Sequence, residues 1–180
     1  MALHRYDALV ELIADRAPAC GSTTVIAVDG RSGAGKTEFT AGLVEATGAA
    51  VLHLDDVYPG WHGLAATPPL VAGVLEAIAA GRTGVAPRWS WVRDEPAPPL
   101  RVPPAPLLVL DGVGSGAAVI RPYLSLLIWL DAPTDVRRAR ALGRDGETYA
   151  PFWDVWAEQE EAYLARDRPR HHADLVIPVR

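Results

Sequence analysis

Lysine and cysteine are nearly absent from this 180-residue chain, and long apolar runs are missing as well. Its 17 basic residues are 16 arginines and a single lysine, Lys36. The single cysteine, Cys20, excludes an intrachain disulfide and a cysteine-based metal site. A transmembrane helix needs about 18 consecutive apolar residues, which the sequence does not contain, so we expect no membrane partner.

The N-terminal segment MALHRYDALVELIADRAP carries charges where a signal peptide needs an uninterrupted apolar stretch. It predicts an amphipathic helix of the folded domain, and we expect a cytoplasmic protein. The net charge of -5 is spread along the chain. We expect no nucleic-acid partner, because nonspecific binding to nucleic acid depends on clustered lysine and arginine. The composition leaves both a monomer and a homodimer open.

Short apolar runs alternate with helical patterns along most of the sequence. Strands are predicted at residues 23–28, 49–54, 107–110, 124–130 and 173–179, and helices at 36–47, 70–80, 152–165 and from 134 onward. Repeated strand-then-helix units imply parallel pairing, with crossover helices on both faces of the sheet. We therefore expect one domain over residues 1–180, with a three-layer α/β fold and a mostly parallel five-stranded sheet.

Residues 30–37, GRSGAGKT, match the pattern G-x-x-x-x-G-K-[ST] between a predicted strand and a predicted helix. Glycines let the backbone curl so that successive N–H groups face phosphate oxygens, and the helix behind adds its positive end. The motif predicts the phosphate-binding loop of a P-loop NTPase fold, with ATP and Mg²⁺ as cofactors. Lys36 would reach the outer phosphates, and the Thr37 hydroxyl would bind Mg²⁺. The expected nucleotide-binding residues of this loop are Gly30, Arg31, Ser32, Gly33, Ala34, Gly35, Lys36 and Thr37.

Three carboxylates follow predicted strands, at the sheet edge where open α/β folds bind their ligands. Asp55 and Asp56 end the second strand, and Asp111 ends the third. The first two are predicted to hold Mg²⁺ or to accept a proton from an attacking hydroxyl, with capping of the next turn as the alternative. Asp111 is predicted to meet Mg²⁺ opposite the loop, with a turn-forming Asp-Gly pair as the alternative.

An arginine-rich helix is predicted from Thr134. Arg137, Arg140 and Arg144 stand at i, i+3 and i+7, so they share one face of this helix. We expect a small arginine-bearing lid over about residues 137–152 that clamps phosphate charge, with Arg137 among the nucleotide-binding residues. A solvated basic face is the alternative.

These segments together resemble the small P-loop kinases, and more specifically the uridine kinase-like family of nucleoside and nucleotide kinases. The likeness runs in order over most of the chain, through DGRSGAGKT, LDDVY, PRWSW, LVLDGVGSG and DVRRARALGRD. It implies that Asp55 is the general base that takes the proton of the acceptor hydroxyl, and that Tyr58 lines the acceptor pocket. It also implies that Arg140 and Arg144 are catalytic lid arginines that act together with Lys36.

The expected acceptor-binding insert, about residues 57–106, departs from that family. Ser90 stands where the family's Pro-x-Tyr-Asp-Phe segment has its acid, and no acidic cluster like the family's ribose-binding one lies between residues 58 and 87. A grip on ribose hydroxyls is therefore not expected. Seven prolines in residues 87–106 exclude a long helix there, and PRWSWVRDE alternates as a short strand or hairpin arm would. The predicted substrate-binding residues are Asp56, Tyr58, Trp61, Trp89 and Trp91, with core packing as the alternative for the tryptophans.

The expected function is ATP- and Mg²⁺-dependent transfer of a phosphoryl group to a hydroxyl of a small molecule, with a nucleoside kinase-like site and an altered acceptor pocket. Two alternatives stay open. A nucleoside monophosphate kinase would need a second basic cluster, for which Arg88, Arg93 and Arg101 are available. A nucleotide-binding regulator or weak ATPase would use no acceptor, and the aspartate pair argues against it.

Overall fold

The computed structural model describes residues 6–179, except the side chains of residues 142 and 144–149. The strands are β1 (Thr24–Asp29), β2 (Ala50–His53), β3 (Gly84–Ser90), β4 (Glu95–Val102), β5 (Leu107–Asp111), β6 (Leu126–Asp131) and β7 (Leu175–Pro178). The helices are α1 (Asp7–Ala14), α2 (Lys36–Thr47), α3 (Thr67–Ala79), α4 (Thr134–Tyr149), α5 (Trp153–Asp167) and α6 (Pro169–His172).

Five of these strands form one parallel sheet in the order β2-β5-β1-β6-β7. The central strand β1 pairs with β5 and β6, so that Val28 lies opposite Asp111 and Asp29 lies opposite Trp129. This register brings the carboxyl ends of the central strands to one edge of the sheet. The predicted fold class, an α/β three-layer fold with a five-stranded sheet, is confirmed.

The two faces of the sheet are covered by different helices. Along β5, Leu108 and Leu110 pack into one apolar cluster, whereas Val109 packs into the other, because successive strand side chains alternate between faces. The first cluster also contains side chains of α3 and α5, and the second contains side chains of α1 and α2. Strands buried on both faces explain the nearly continuous apolar runs of the sequence.

Most element boundaries differ from the predictions by one to three residues, and two of these differences have a clear local cause. The second strand ends at His53 rather than at residue 54, and residues Leu54–Asp56 form a 3-10 turn. Helix α3 begins at Thr67 instead of residue 70, with prolines in its first turn, where a missing backbone N–H costs nothing. The Thr67 hydroxyl donates to the Gly63 carbonyl over 3.0 Å at this helix start.

The proline-rich segment forms an antiparallel hairpin, as the alternation in the sequence predicts. Strands β3 and β4 pair from Gly84 opposite Val102 to Ser90 opposite Glu95, with a bulge between Ala86 and Arg88. This two-stranded sheet is separate from the parallel sheet, so its prolines remove no hydrogen bond from the central ladder. Among the described residues, no helix is both long and apolar enough to cross a membrane.

Candidate active site

A cavity of about 840 Å³ lies at the carboxyl ends of β1, β2 and β5. Most of the functional residues predicted from separate parts of the sequence meet in it. The lining includes the glycine-rich loop with Lys36 and Thr37, the acids Asp55 and Asp111, the guanidinium-bearing Arg140, and the aromatic residues Tyr58, Trp61, Trp91 and Trp156. These residues lie close together because the three parallel strands end at the same edge of the sheet.

The glycine-rich loop joins β1 to α2 in a conformation that its glycines make accessible. Gly33 and Gly35 have φ values of 80° and 88°, in the left-handed region that favours glycine. A Cβ atom on Gly33 would overlap the carbonyl oxygen of Arg137, so α4 packs directly on the loop backbone. The Lys36 ammonium folds over the same loop and donates to the carbonyls of Gly30 (2.8 Å) and Arg31 (3.1 Å).

A buried glutamate of α5 holds the outer side of the loop. Glu160 is only 2% exposed, and its carboxylate accepts a hydrogen bond from the Ser32 backbone N–H at 2.6 Å and from Arg31 Nε at 2.8 Å. Arg31 also forms an ion pair with Glu161, which is 65% exposed. The Arg31 side chain is therefore turned toward α5, and the loop position is fixed by a residue about 130 positions away in the sequence.

A second buried carboxylate lies beneath the loop. Asp29 ends β1 with no exposed surface, and it accepts hydrogen bonds from the backbone N–H groups of Gly30 (2.7 Å), Gly114 (3.3 Å) and Gly116 (2.8 Å) and from the Tyr163 hydroxyl (2.6 Å). Burial raises the pKa of the Asp29 carboxyl, although the hydrogen bonds from Tyr163, Gly116 and Gly30 oppose the shift. The burial of Tyr163, with the negative charge of Asp29 beside it, likewise raises the pKa of its hydroxyl.

The 3-10 turn after β2 separates the two adjacent aspartates. Asp55 lines the cavity, whereas Asp56 lies outside it and pairs with Arg88 over 3.8 Å. The indole N–H of Trp91 donates to the Asp55 backbone carbonyl at 2.7 Å and so attaches the hairpin to this turn. The structure thus brings Asp55, and not Asp56, to the loop.

Asp111 ends β5 inside the cavity and is 4% exposed. Its Oδ2 atom lies 2.9 Å from Nδ1 of His53, and this contact raises the pKa of His53. Its Oδ1 atom is buried and has no hydrogen-bond partner among the described residues.

Thr37 lines the same cavity as Asp111. An unsatisfied carboxylate oxygen and a hydroxyl therefore belong to one site, and both are ligand types that fit Mg²⁺. The described residues contain no cluster of three or more His, Cys, Asp or Glu side chains suited to a metal ion. A magnesium ion held here would therefore take its other ligands from water and phosphate.

The predicted lid arginines have different surroundings. Arg137 is buried, and its guanidinium donates to the carbonyls of Ser32 and Ala132 and to the Thr134 hydroxyl. Arg140 lines the cavity, and its guanidinium lies next to Gly35 of the loop. A Cβ atom added to Gly35 would stand 3.7 Å from Arg140 Nη1. The Arg144 side chain lies outside the described residues, so its predicted role stays a prediction.

The predicted aromatic residues divide into two groups. Tyr58, Trp61 and Trp91 line the cavity, together with Trp156 of α5, which also belongs to the apolar core. Tyr58 is 2% exposed and donates its hydroxyl to the Val113 carbonyl over 2.8 Å. Trp89 does not line the cavity, and its indole packs near Gly60.

Known proteins provide an independent comparison. No family model matches the chain. A possible uridine kinase from Bacillus stearothermophilus matches it with a TM-score of 0.68 and 18% identity, covering 97% of each chain. The chain has a P-loop kinase fold. A candidate fructose transport system kinase from Silicibacter sp. TM1040 matches this P-loop kinase fold with a TM-score of 0.61 and 18% identity, covering 99% of each chain. The predicted resemblance to uridine kinase-like proteins is confirmed at the level of the fold.

Sequence reasoning missed three residues that shape this site. Asp29 directly precedes the loop motif, so its place at the strand end could have been noticed, but not its hydrogen bonds to residues 114 and 116. His53 precedes Asp55 by two positions, and its contact with Asp111 depends on the pairing of β2 with β5. Glu160 lies in an acidic stretch of α5, a pattern typical of a solvent-exposed helix face. The local sequence therefore does not predict that Glu160 is buried against the loop.

The Asp29 network predicts a pH-dependent stability difference between the wild type and Asp29→Asn. The pKa of Asp29 is higher in the folded protein than its ordinary value of 3.8. The carboxyl group therefore stabilises the fold most below that value, and this contribution is lost as the pH rises through the folded-state pKa. We expect the wild type's advantage in unfolding free energy over Asp29→Asn to shrink from acid to neutral pH. Urea denaturation of both proteins at several pH values measures it, and an advantage that grows with pH would contradict the assignment.

The Glu160 contacts predict unequal effects of two neighbouring substitutions. Glu160→Ala leaves the Ser32 N–H and the Arg31 guanidinium without their carboxylate, and we expect a loss of about 1–3 kcal/mol of unfolding free energy. Glu161→Ala is the matched control, with an expected loss below about 1 kcal/mol because its ion pair is exposed. Urea denaturation compares the two variants. Equal losses would show that Glu160 does not hold the loop.

Proposed function

We propose that this chain is a kinase that transfers the terminal phosphoryl group of ATP to a hydroxyl of a small molecule in the presence of Mg²⁺. The observation that carries the proposal is one cavity that is lined by the glycine-rich loop, by Asp111 and Asp55, and by four aromatic side chains. The loop would hold the nucleotide phosphates at one end, and the space beside Asp55 would hold the second substrate. The kinase folds of the matched structures agree with this division. At 18% identity these matches support the fold and not the identity of the second substrate.

The phosphate end of the cavity would stabilise negative charge. The N–H groups of the loop and of the first turn of α2 would bind phosphate oxygens, and the positive end of that helix would add to their effect. Lys36 and Arg140 are the described cationic side chains that line the cavity. They would neutralise the charge that develops on the transferred group, which is where charge stabilisation lowers the barrier. Arg137 would act on the loop backbone through Ser32 instead.

Thr37 and Asp111 would hold Mg²⁺. Support comes from the cavity position of both residues and from the unpartnered Oδ1 atom of Asp111. When bound, the ion would neutralise phosphate oxygens and orient them for transfer. His53 would keep the Asp111 carboxylate in one orientation through its 2.9 Å contact with Oδ2.

Asp55 would be the general base. Its carboxylate would accept the proton of the acceptor hydroxyl as the oxygen forms a bond to the terminal phosphorus and the bond to ADP breaks. The Trp91 hydrogen bond to its carbonyl supports this role, because it holds the turn that carries the side chain. Protein partners and oligomeric state play no part in this proposal.

The nucleoside monophosphate alternative receives no support from the proposed basic cluster. Arg88 pairs with Asp56 and Arg93 with Glu95, over 3.8 Å and 3.0 Å. Arg101 lines a separate, smaller groove beside β2. None of these three side chains lines the cavity that contains the loop.

The proposal predicts that Asp55→Asn abolishes acceptor-dependent turnover. ADP release is measured with a panel of nucleosides, nucleoside monophosphates, sugars, vitamins and aromatic alcohols. We expect Asp55→Asn to lower kcat for the stimulating acceptor by about 10²–10⁴-fold, because general-base catalysis contributes that much, while the KM for ATP changes little. Asp56→Asn is the matched control and should retain kcat within about threefold, since Asp56 lies outside the cavity, pairs with Arg88 and takes no part in the proton transfer.

Two results would contradict the proposal, the first its kinase function and the second its choice of base. Slow ADP release that no acceptor stimulates would favour the nucleotide-binding regulator. Stimulated turnover that survives in Asp55→Asn but not in Asp56→Asn would transfer the role of base to Asp56.

The metal site predicts a specific change in Mg²⁺ dependence. Asp111→Asn removes a charged ligand oxygen, and we expect the Mg²⁺ concentration for half-maximal ADP release to rise by about tenfold or more. Asp131→Asn is the control, because Asp131 also ends a parallel strand but pairs with Arg170 outside the cavity. An unchanged Mg²⁺ titration of Asp111→Asn would remove Asp111 from the metal site.

A further inference from the structure

Four aromatic side chains that line the cavity, Tyr58, Trp61, Trp91 and Trp156, form its aromatic wall. Its rings are fixed by contacts with each other and with Phe152. Trp61 stacks on Phe152 with ring centroids 4.6 Å apart and planes inclined by 6°, and its centroid lies 4.8 Å from that of Trp91. Tyr58 meets Trp156 edge to face at 4.9 Å. The wall is therefore preorganised. Binding of a flat ligand would restrict the motion of the ligand but would order few further side chains of the protein.

Trp91 connects this wall to the residue proposed as the base. Its indole N–H donates a hydrogen bond to the Asp55 carbonyl at 2.7 Å, so the ring lies beside the turn that carries Asp55. A molecule whose hydroxyl reaches the Asp55 carboxylate would share the cavity with the rings of Trp91 and Trp61. Because the one polar atom of the Trp91 ring already has a partner, the ring offers a ligand only apolar and π surface.

The charged side chains of the hairpin that carries Trp91 do not line the cavity. Arg88 and Arg93 form ion pairs with Asp56 and Glu95. The Ser90 hydroxyl accepts the backbone N–H of Arg93 at 3.3 Å and thereby closes the hairpin turn. Among the described residues, the hairpin thus contributes an indole to the cavity, and neither a cation for a second phosphate nor a carboxylate for a ribose diol.

We propose that the acceptor is an aromatic or heteroaromatic alcohol that carries a hydroxymethyl group on a flat ring, with no anionic group and no ribose. This inference rests on the kinase function proposed above. The ring would lie against Trp61 and Trp91, and the hydroxyl oxygen would form the new bond to the terminal phosphorus of ATP. The bond between that phosphorus and ADP breaks, Asp55 takes the hydroxyl proton, and ADP leaves with the electron pair.

Matched probes test the substrate class by ADP release. The aromatic probes are benzyl alcohol and 3-pyridinemethanol, cyclohexylmethanol lacks the aromatic ring, and 3-(hydroxymethyl)benzoate adds one carboxylate. Uridine and fructose represent ribosides and sugars. We expect kcat/KM for the better aromatic alcohol to exceed those of the other four probes by about tenfold or more, because stacking favours the flat ring and a buried unpaired carboxylate is costly.

Variants at the hairpin tip separate stacking from positioning. Trp91→Leu removes the ring, and we expect the KM for the aromatic alcohol to rise by about tenfold while the KM for ATP stays within about twofold. Both variants lose the N–H bond to the Asp55 carbonyl, so kcat should be lowered in both, whereas Trp91→Phe keeps a ring and should largely restore the KM. Val92→Ala is the control, since Val92 is 98% exposed and should change neither constant.

The failures of the two proposals differ. Stimulation by uridine, fructose or the benzoate in preference to both aromatic alcohols would overturn the substrate class and leave the kinase function standing. A Trp91→Leu variant with unchanged KM for the aromatic alcohol would also overturn it. Release of ADP that no probe or other acceptor stimulates would overturn the kinase function, and this inference with it.

Discussion

The site depends on one buried interaction, the hydrogen bonding of the Asp29 carboxylate. A carboxylate without exposed surface is costly unless its oxygens are satisfied, and here they accept three backbone N–H groups and one hydroxyl. These donors belong to the start of the glycine-rich loop, to the segment after β5, and to Tyr163 of α5. The interaction therefore fixes the loop relative to the strand that carries Asp111 and to the helix that carries Glu160.

The cavity has two ends with different physical origins. The proposed phosphate end consists largely of backbone groups of the loop and of the first turn of α2, together with Lys36. The proposed acceptor end consists of the rings of Tyr58, Trp61, Trp91 and Trp156, which come from the segment after β2, the hairpin and α5. A P-loop kinase fold can retain one phosphate-binding end while the side chains at the other end change, because the two sets of groups come from different segments of the chain.

The C-terminal half of the chain supports the loop from two directions. Helix α4 packs the Arg137 carbonyl against Gly33 and donates from the Arg137 guanidinium to the Ser32 carbonyl. Helix α5 accepts the Ser32 N–H with Glu160. Both backbone groups of Ser32 are therefore held by side chains more than 100 positions away in the sequence. The loop motif predicts phosphate binding, but its conformation in this protein is stabilised by tertiary contacts.

The amino-acid sequence by itself determined the strands, the loop motif with Lys36, and the acids at the strand ends, since each depends on spacing within a short segment. It predicted α2 with its observed bounds and Asp111 at the carboxyl end of β5. Only the tertiary structure decided which of two adjacent aspartates, Asp55 or Asp56, lies in the cavity, because a 3-10 turn sends their side chains in different directions. It likewise brought Trp91 rather than Trp89 to the cavity and buried Glu160 against the loop. These choices depend on contacts between segments that are distant in the sequence, which local patterns do not encode.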